Sequence, residues 1–338
     1  MGISFSLLAV IALMAIAYSG TKFANLQFLF GVVIPYLAVI TFIGGVIYRV
    51  IKWAYSPVPF RIPTTSGQQK SLSWIKQSRF ENPSNTAGVI GRMLLEILLF
   101  RSLFRNLKLV VSEANPMELN NGERIIYKSD KWLWLAGLAF HWAFLVILIR
   151  HFRFFAGYVP SCVQLLESLD SWLQVGLPRF YITDMIILTA VTYLLIRRFV
   201  IPQVRYISFA ADYFPLFLIL GIAITGILMR YVIRVDVAGV KTLTLGLVGF
   251  NPSVPEGLGI IFYIHIFLVS ILFVYFPFSK LVHSAGVFLS PTRNLSNNSR
   301  MERHINPWNY PVKIHTYTEY EDEFREKMKK AGIPVEKG

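Results

Sequence analysis

Four of the six histidines in this 338-residue chain stand in or at the ends of two apolar stretches: His141 and His151 in LAFHWAFLVILIRHFRF, His265 in FYIHIFLVS and His283 in SKLVHSAG. Imidazole carries protons near neutral pH and is a common metal ligand. Placing one in an apolar stretch is costly unless it has a partner. Two kinds of chemistry fit: histidines that hydrogen-bond between helices and line a proton path, or histidines that ligate haem iron axially. Ten residues separate the first two and eighteen the second two, which on straight helices is roughly 15 Å and 27 Å. Eighteen residues are five whole turns, so one continuous helix would show His265 and His283 on one face, with a bend at Pro277 absorbing the mismatch in length. Cys162 is the only cysteine. That excludes an internal disulfide, a Cys-rich zinc site, an iron–sulfur cluster and the C-x-x-C-H attachment of c-type haem, so a haem here would be b-type. Gly137, Ala139, Ser284, Ala285 and Gly286 leave room for a flat macrocycle and equally suit ordinary helix contacts.

The elements that must position these histidines are membrane helices. The chain is 54% hydrophobic and 15% charged, against roughly 25% charged in soluble proteins. Six stretches are long and apolar enough to span: 3–19, 28–52, 131–155, 181–201, 212–233 and 259–285. The first ends in the small residues Ala17-Tyr18-Ser19, yet no Lys or Arg precedes it as in a signal peptide, so it is expected to be a retained helix. The net charge of +14 sorts by connection: 26 of the 33 Lys and Arg lie in 49–131, around 197–205 and in the tail, and seven lie in the alternate connections. The positive-inside rule then places both termini in the cytoplasm and accounts for the basic balance without nucleic acid. In this topology the third and sixth helices are antiparallel, so His151 meets His265 near the outer surface and His141 meets His283 near the inner one.

The organisation expected is two N-terminal transmembrane helices (1–53), a cytoplasmic loop (54–130), a four-helix histidine-bearing domain (131–290) and a cytoplasmic tail (291–338). Within the loop, 89–111 is apolar but carries Arg92, Glu96, Arg101, Arg105 and Lys108. So many charges disfavour spanning, and an interfacial helix against lipid or a partner subunit is expected. Residues 54–88 have no periodicity, and 319–330 suits a short solvated helix. The fold class is therefore all-α integral membrane, with six transmembrane helices. No nucleotide loop, nucleophile elbow or HExxH motif occurs. Nor are there the related halves of an inverted-repeat transporter, although a cofactor-free anchor or transporter component with a histidine proton relay remains the alternative from another class.

Two histidines ten apart on one helix and two eighteen apart on the last resemble the pattern of the gamma subunit of respiratory nitrate reductase, a membrane cytochrome with two b haems. Over about 125–290 the chain is most similar to a branch of that family, the DsrM-type cytochrome b subunits of the Dsr and Hdr-like menaquinol-oxidising complexes. The resemblance implies an oxidoreductase subunit, not catalytic alone, in sulfite- or sulfate-linked respiration at the cell membrane. It implies that His151 and His265 hold the outer haem, near a menaquinone/menaquinol site, and that His141 and His283 hold the inner one. The partner implied is a cytoplasmic iron–sulfur subunit resembling heterodisulfide reductase, with further membrane and extracytoplasmic redox subunits. The b subunit of a nitrate reductase, formate dehydrogenase or hydrogenase is the neighbouring alternative. For the quinol, Arg150, Arg179 and Asp184 are the candidates, beside Arg153, with Arg179 favoured by position. His304 and His315, in the polar tail, are expected to ligate nothing. The extra N-terminal helix and the elaborated 54–130 loop depart from the nitrate reductase pattern.

Overall fold

The computed structural model describes residues 2–56, 67–112, 124–171, 179–298, 300–301 and 314–336. The chain is mostly helical. Helices α1 (Gly2–Lys22) and α2 (Ile34–Ala54, entered through a π-helical turn at Leu29–Val33) precede a segment with α3 (Thr86–Leu99) and α4 (Arg101–Phe104). A strand pair follows, β1 (Leu107–Ser112) and β2 (Arg124–Ser129). Then come α5 (Lys131–Phe155), α6 (Ser161–Asp170), α7 (Ile182–Val200), α8 (Pro202–Tyr206) and α9 (Ala210–Ile227), which continues as a π-helix over Leu228–Ile233. The chain goes on through α10 (Val237–Val248), α11 (Ile260–Tyr275), α12 (His283–Gly286), α13 (Pro291–Asn294) and α14 (Tyr317–Lys330).

Five helical stretches among the described residues are long and apolar enough to cross a membrane: Gly2–Lys22, Leu29–Ala54, Lys131–Phe155, Ala210–Ile233 and Ile260–Phe278. Helix α7 has 19 residues but carries Asp184 at its start and Arg197 and Arg198 at its end. Helix α11 is central and packs against α1, α2 and α9, while α7 is flanked by α5 and α9. One core forms where Val10, Ala143, Val191, Leu218 and Leu268 meet, and a second where Ala17, Phe30, Leu243, Phe262 and Phe267 meet. Small and hydroxyl residues let α1 approach closely: Ser6 and Ala17 are fully buried, and the Ser6 hydroxyl is 3.0 Å from the Ala210 carbonyl. Large side chains such as Leu8, Ile40 and Phe152 point outward, as a lipid-facing surface requires.

Two expectations are corrected. The interfacial helix expected over 89–111 is shorter. It starts at Thr86, capped by the Asn85 side chain accepting from Gly88 N at 2.9 Å, and ends at Leu99, where Phe100 adopts the left-handed conformation (φ 50°, ψ 48°). Residues 107–111 form a strand instead, antiparallel to Arg124–Ser129 with Leu107 opposite Ser129. The run LKLVV ends in β-branched residues and has a partner in Ile125-Ile126-Tyr127, and a short apolar run of this kind does not by its pattern distinguish strand from helix. The chain stays mostly helical, as expected of an all-α membrane protein, with this one strand pair in the loop among the described residues. The span expected over 259–285 is also not one helix. Pro277 has no N–H to donate, and beyond Tyr275 the chain passes through a single 3₁₀ turn at Phe276–Phe278, an extended Ser279 (φ −121°, ψ 179°) and another at Lys280–Val282.

The loop and tail fold onto one another. Arg92, 2% exposed, donates to the carbonyls of Glu81, Arg293 and Leu295, at 3.2, 2.6 and 3.1 Å for the closest nitrogen. Burial, with Arg293 alongside, pushes its guanidinium below the usual arginine range. Glu96 accepts from Arg293 at 2.9 Å and from the Ser102 hydroxyl at 2.5 Å. Glu81 pairs with Arg101 and Arg105. Helix α14 starts at a capping box in which Thr316 and Glu319 satisfy each other's backbone N–H groups.

Candidate functional site

Helix α5 carries His141 and His151, and the structure gives each a neighbour from the far end of the sequence. At one end the His141 and His283 rings have centres 5.9 Å apart and planes at 84°. The His141 Nδ1 lies 2.7 Å from the Gly137 carbonyl and the His283 Nδ1 lies 2.9 Å from the Lys280 carbonyl. A carbonyl only accepts, so in both rings Nδ1 carries the proton and Nε2 keeps its lone pair. Phe100 and Phe140 stand edge-on to His141, each with ring centres 4.9 Å away. The last turn of α3 closes this end: Leu99 and Leu98 carbonyls, left without intrahelical donors, accept from the indoles of Trp134 (2.8 Å) and Trp142 (3.0 Å) on α5.

The break after α11 brings His283 to this position, and α2 holds the break. A side chain at Gly45 would strike Pro277 at 2.7 Å, so glycine there permits the close approach. Arg49 Nε donates to the Pro277 carbonyl at 2.9 Å, and the Trp53 ring lies against Gly286. Asp212, at the first turn of α9, accepts from Lys280 at 2.6 Å and from Phe209 N at 3.0 Å.

At the other end His151 and His265 are close enough to interact electrostatically. The His151 Nδ1 is 2.7 Å from the Ile147 carbonyl. The His265 Nδ1 is 2.9 Å from the Thr225 hydroxyl, whose own proton points to the Gly221 (2.8 Å) and Ile222 (3.0 Å) carbonyls. Thr225 therefore accepts from His265, and here too Nε2 is left with its lone pair. Among the described residues no group of three or more His, Cys, Asp or Glu side chains converges as a metal site. Each pair has two ring nitrogens that could ligate a metal.

Next to His151 lies a buried ionic cluster. Arg150 pairs with Asp170 and, at 3.2 Å, with Asp184; it donates to the Thr183 hydroxyl at 2.9 Å and stacks its guanidinium 3.5 Å from the centre of the Tyr181 ring. Asp170 also accepts from Thr183 N at 2.9 Å, and Tyr231 Oη donates to Asp184 at 2.9 Å while accepting from Tyr181 N at 2.9 Å. Two of these bonds satisfy the N–H groups of Tyr181 and Thr183 at the start of α7. Arg153 pairs with Glu167 at 2.9 Å. Arg179 is exposed, with its carbonyl accepting from Arg230 at 2.9 Å. His315 lies 3.6 Å from Glu323, and His304 falls outside the described residues. Sequence reasoning missed Thr225, Asp170 and Phe100. A hydroxyl at the depth of His265 on the preceding span was the signal for Thr225; the others depend on tertiary contacts no local pattern encodes.

Residues 125–303 match the family described as nitrate reductase gamma subunit. The chain is 44% identical over 287 residues, 83% of each chain, to the Hdr-like menaquinol oxidoreductase cytochrome b-like subunit of Archaeoglobus fulgidus. It is 40% identical over 282 residues, 81% of each chain, to the protein of the same description from Archaeoglobus profundus. With its apolar helices, this makes it a multi-pass membrane protein, and it belongs to the nitrate reductase gamma subunit family, on the branch of the Hdr-like menaquinol oxidoreductase cytochrome b-like subunits.

Proposed function

We propose that the chain is the membrane cytochrome b of a menaquinol-linked respiratory complex, crossing the membrane six times, with α7 as the fourth span in chain order beside the five longer ones, and with both termini in the cytoplasm. Four histidines each with Nδ1 hydrogen-bonded, and His141 beside His283 with ring centres 5.9 Å apart, are the observation that supports this reading. The donor set fits haem. The His141 and His283 ring centres are 5.9 Å apart, so these two residues would hold one such group, and His151 and His265 would hold the other. Haem b at each pair would supply one-electron transfer.

The protein's own part is to hold and orient. The carbonyls of Gly137, Ile147 and Lys280 and the Thr225 hydroxyl fix each ring's tautomer and rotation, as outer partners of ligating histidines do. Arg150 and Asp184 already bind each other, Asp170, Thr183 and Tyr231, which suits them to positioning the helix of His151. Menaquinol would give up two electrons and two protons at the outer end, beside His151 and His265. The electrons would leave past His141 and His283 to a cytoplasmic iron–sulfur subunit resembling heterodisulfide reductase, in sulfite-linked respiration. A soluble menaquinol analogue added anaerobically to the oxidised protein in lipid nanodiscs is expected to raise the absorption bands of reduced b haem. Haem-loaded protein that stays oxidised with excess quinol of lower potential contradicts the reading.

A further inference from the structure

Most cations near His151 and His265 are answered by a neighbour. Arg150 pairs with Asp170 and Asp184, and Arg153 with Glu167. Lys241 donates to the Gly157 carbonyl at 3.0 Å. Arg230 differs, for among the described residues it has no carboxylate partner. One of its terminal nitrogens donates to the Arg179 carbonyl at 2.9 Å, while its Nε is buried with no hydrogen-bond partner among the described residues. A guanidinium has five N–H donors and no acceptor, and buried donors ordinarily find an acceptor. A buried N–H left over on a charged group therefore marks a place for an anion.

The local fold holds this guanidinium in position. Helix α9 passes into the π-helix Leu228–Ile233, which contains Arg230, and such turns frequently accompany functional sites. The Arg230 guanidinium carbon lies 3.9 Å from the centre of the Tyr181 ring, and that of Arg150 lies 3.5 Å from the same centre. Two guanidiniums that near one ring centre take opposite faces, so Tyr181, 4% exposed, is clamped between them. Their like charges repel. Asp170 and Asp184 offset Arg150, and a second anion would offset Arg230. Gly226 relates this position to the histidines. A built Cβ at Gly226 stands 3.4 Å from His265 Cε1. Arg230 follows four residues later, about one turn or roughly 6 Å further along the same side of the helix. The cofactor at His151 and His265 brings its own anions to this place, since haem b carries two propionate carboxylates on one edge. A lipid phosphate is the other source of anionic oxygen in a membrane, but the Arg230 Nε is buried rather than on the lipid-facing surface.

We infer that Arg230 binds a propionate of the haem held by His151 and His265. This rests on the two-haem reading and makes Arg230 a positioning residue that also sets charge. Its guanidinium offsets a carboxylate whose negative charge opposes reduction of the iron, so removing it lowers the potential of that haem. The test combines redox titration with redox-difference infrared spectroscopy of the full haem-loaded chain in nanodiscs of zwitterionic lipid. The cells are supplied with δ-aminolevulinate isotopically labelled at its carboxyl carbon, which marks the haem propionates. Arg230→Gln is expected to move a labelled carboxylate band. It is also expected to lower the reduction equilibrium of the component lost in His151→Ala about tenfold, which is 59 mV for one electron, and to leave the other component unchanged. Arg230→Lys, which keeps the charge, is expected to restore most of the potential. A lowered potential with unmoved propionate bands overturns the assignment. So does an effect seen only in nanodiscs containing anionic phospholipid, which would give Arg230 to a lipid phosphate. Two b components with the potentials and labelled bands of the parent overturn the inference and leave the haem reading standing. Parent protein without haem overturns that reading and the inference with it.

Discussion

Replacing His141 with alanine is expected to remove one b-haem component from the reduced-minus-oxidised spectrum, and replacing His283 is expected to remove the same one. The two rings have centres 5.9 Å apart and planes at 84°, and each keeps its Nε2 lone pair because Nδ1 is hydrogen-bonded. Haem iron held by two imidazoles loses an axial ligand when either is deleted. His151→Ala and His265→Ala should delete the other component. Redox titration of the four variants reads the assignment directly, since the surviving component reports which pair was lost. If His141 and His151 proved to control one component and His265 and His283 the other, the pairing given by the fold would be wrong.

Arg150→Met is expected to destabilise the protein by about 3–5 kcal/mol, because removing one partner leaves buried charge uncompensated. The Asp170 and Asp184 side chains are 4% and 10% exposed and face Arg150 as their shared cation. Adding Asp170→Asn to Arg150→Met should recover part of the loss by removing one orphaned carboxylate. The loss should reach His151, one residue along α5, so the outer haem component should be released at lower temperature than the inner. Thermal release of each component, followed by its absorption band, checks both expectations. A single variant within about 1 kcal/mol of the parent would place the cluster in the range of solvent-screened pairs.

The arrangement of the histidines was legible because two long-range facts combine in a simple way. Charge sorted by connection gives the expected orientation of the helices, and antiparallel helices would then bring residues at matching depth together. His141 and His283 do lie side by side. The route was not legible. Five whole turns from His265 to His283 presumed a continuous helix, whereas Pro277 and the extended Ser279 interrupt it. The two N-terminal helices looked like additions to the histidine domain. In the structure α2 grips the interruption through Gly45, Arg49 and Trp53, so the position of His283 depends on them.

The loop follows the same pattern. At 100° per residue Arg92 and Glu96 fall on one side of a helix and Arg101, Arg105 and Lys108 on the opposite one. That spacing could not show that the tail at Arg293 and Leu295 covers the first side while Glu81 takes the second. Helix α10, a mostly apolar helix of 12 residues, was invisible for another reason: it is too short to span and so gives no membrane signal. Hydrophobic length and charge asymmetry report on the bilayer. Breaks, caps and side-chain anchors report on tertiary contacts and need the fold.

The central claim, that the two histidine pairs each hold a haem b, is tested most directly by counting haem. A pyridine haemochrome assay on the purified full-length protein, with chain concentration from amino-acid analysis, is predicted to give about two b haems per chain. A value near zero in protein with intact helical circular dichroism would contradict the account.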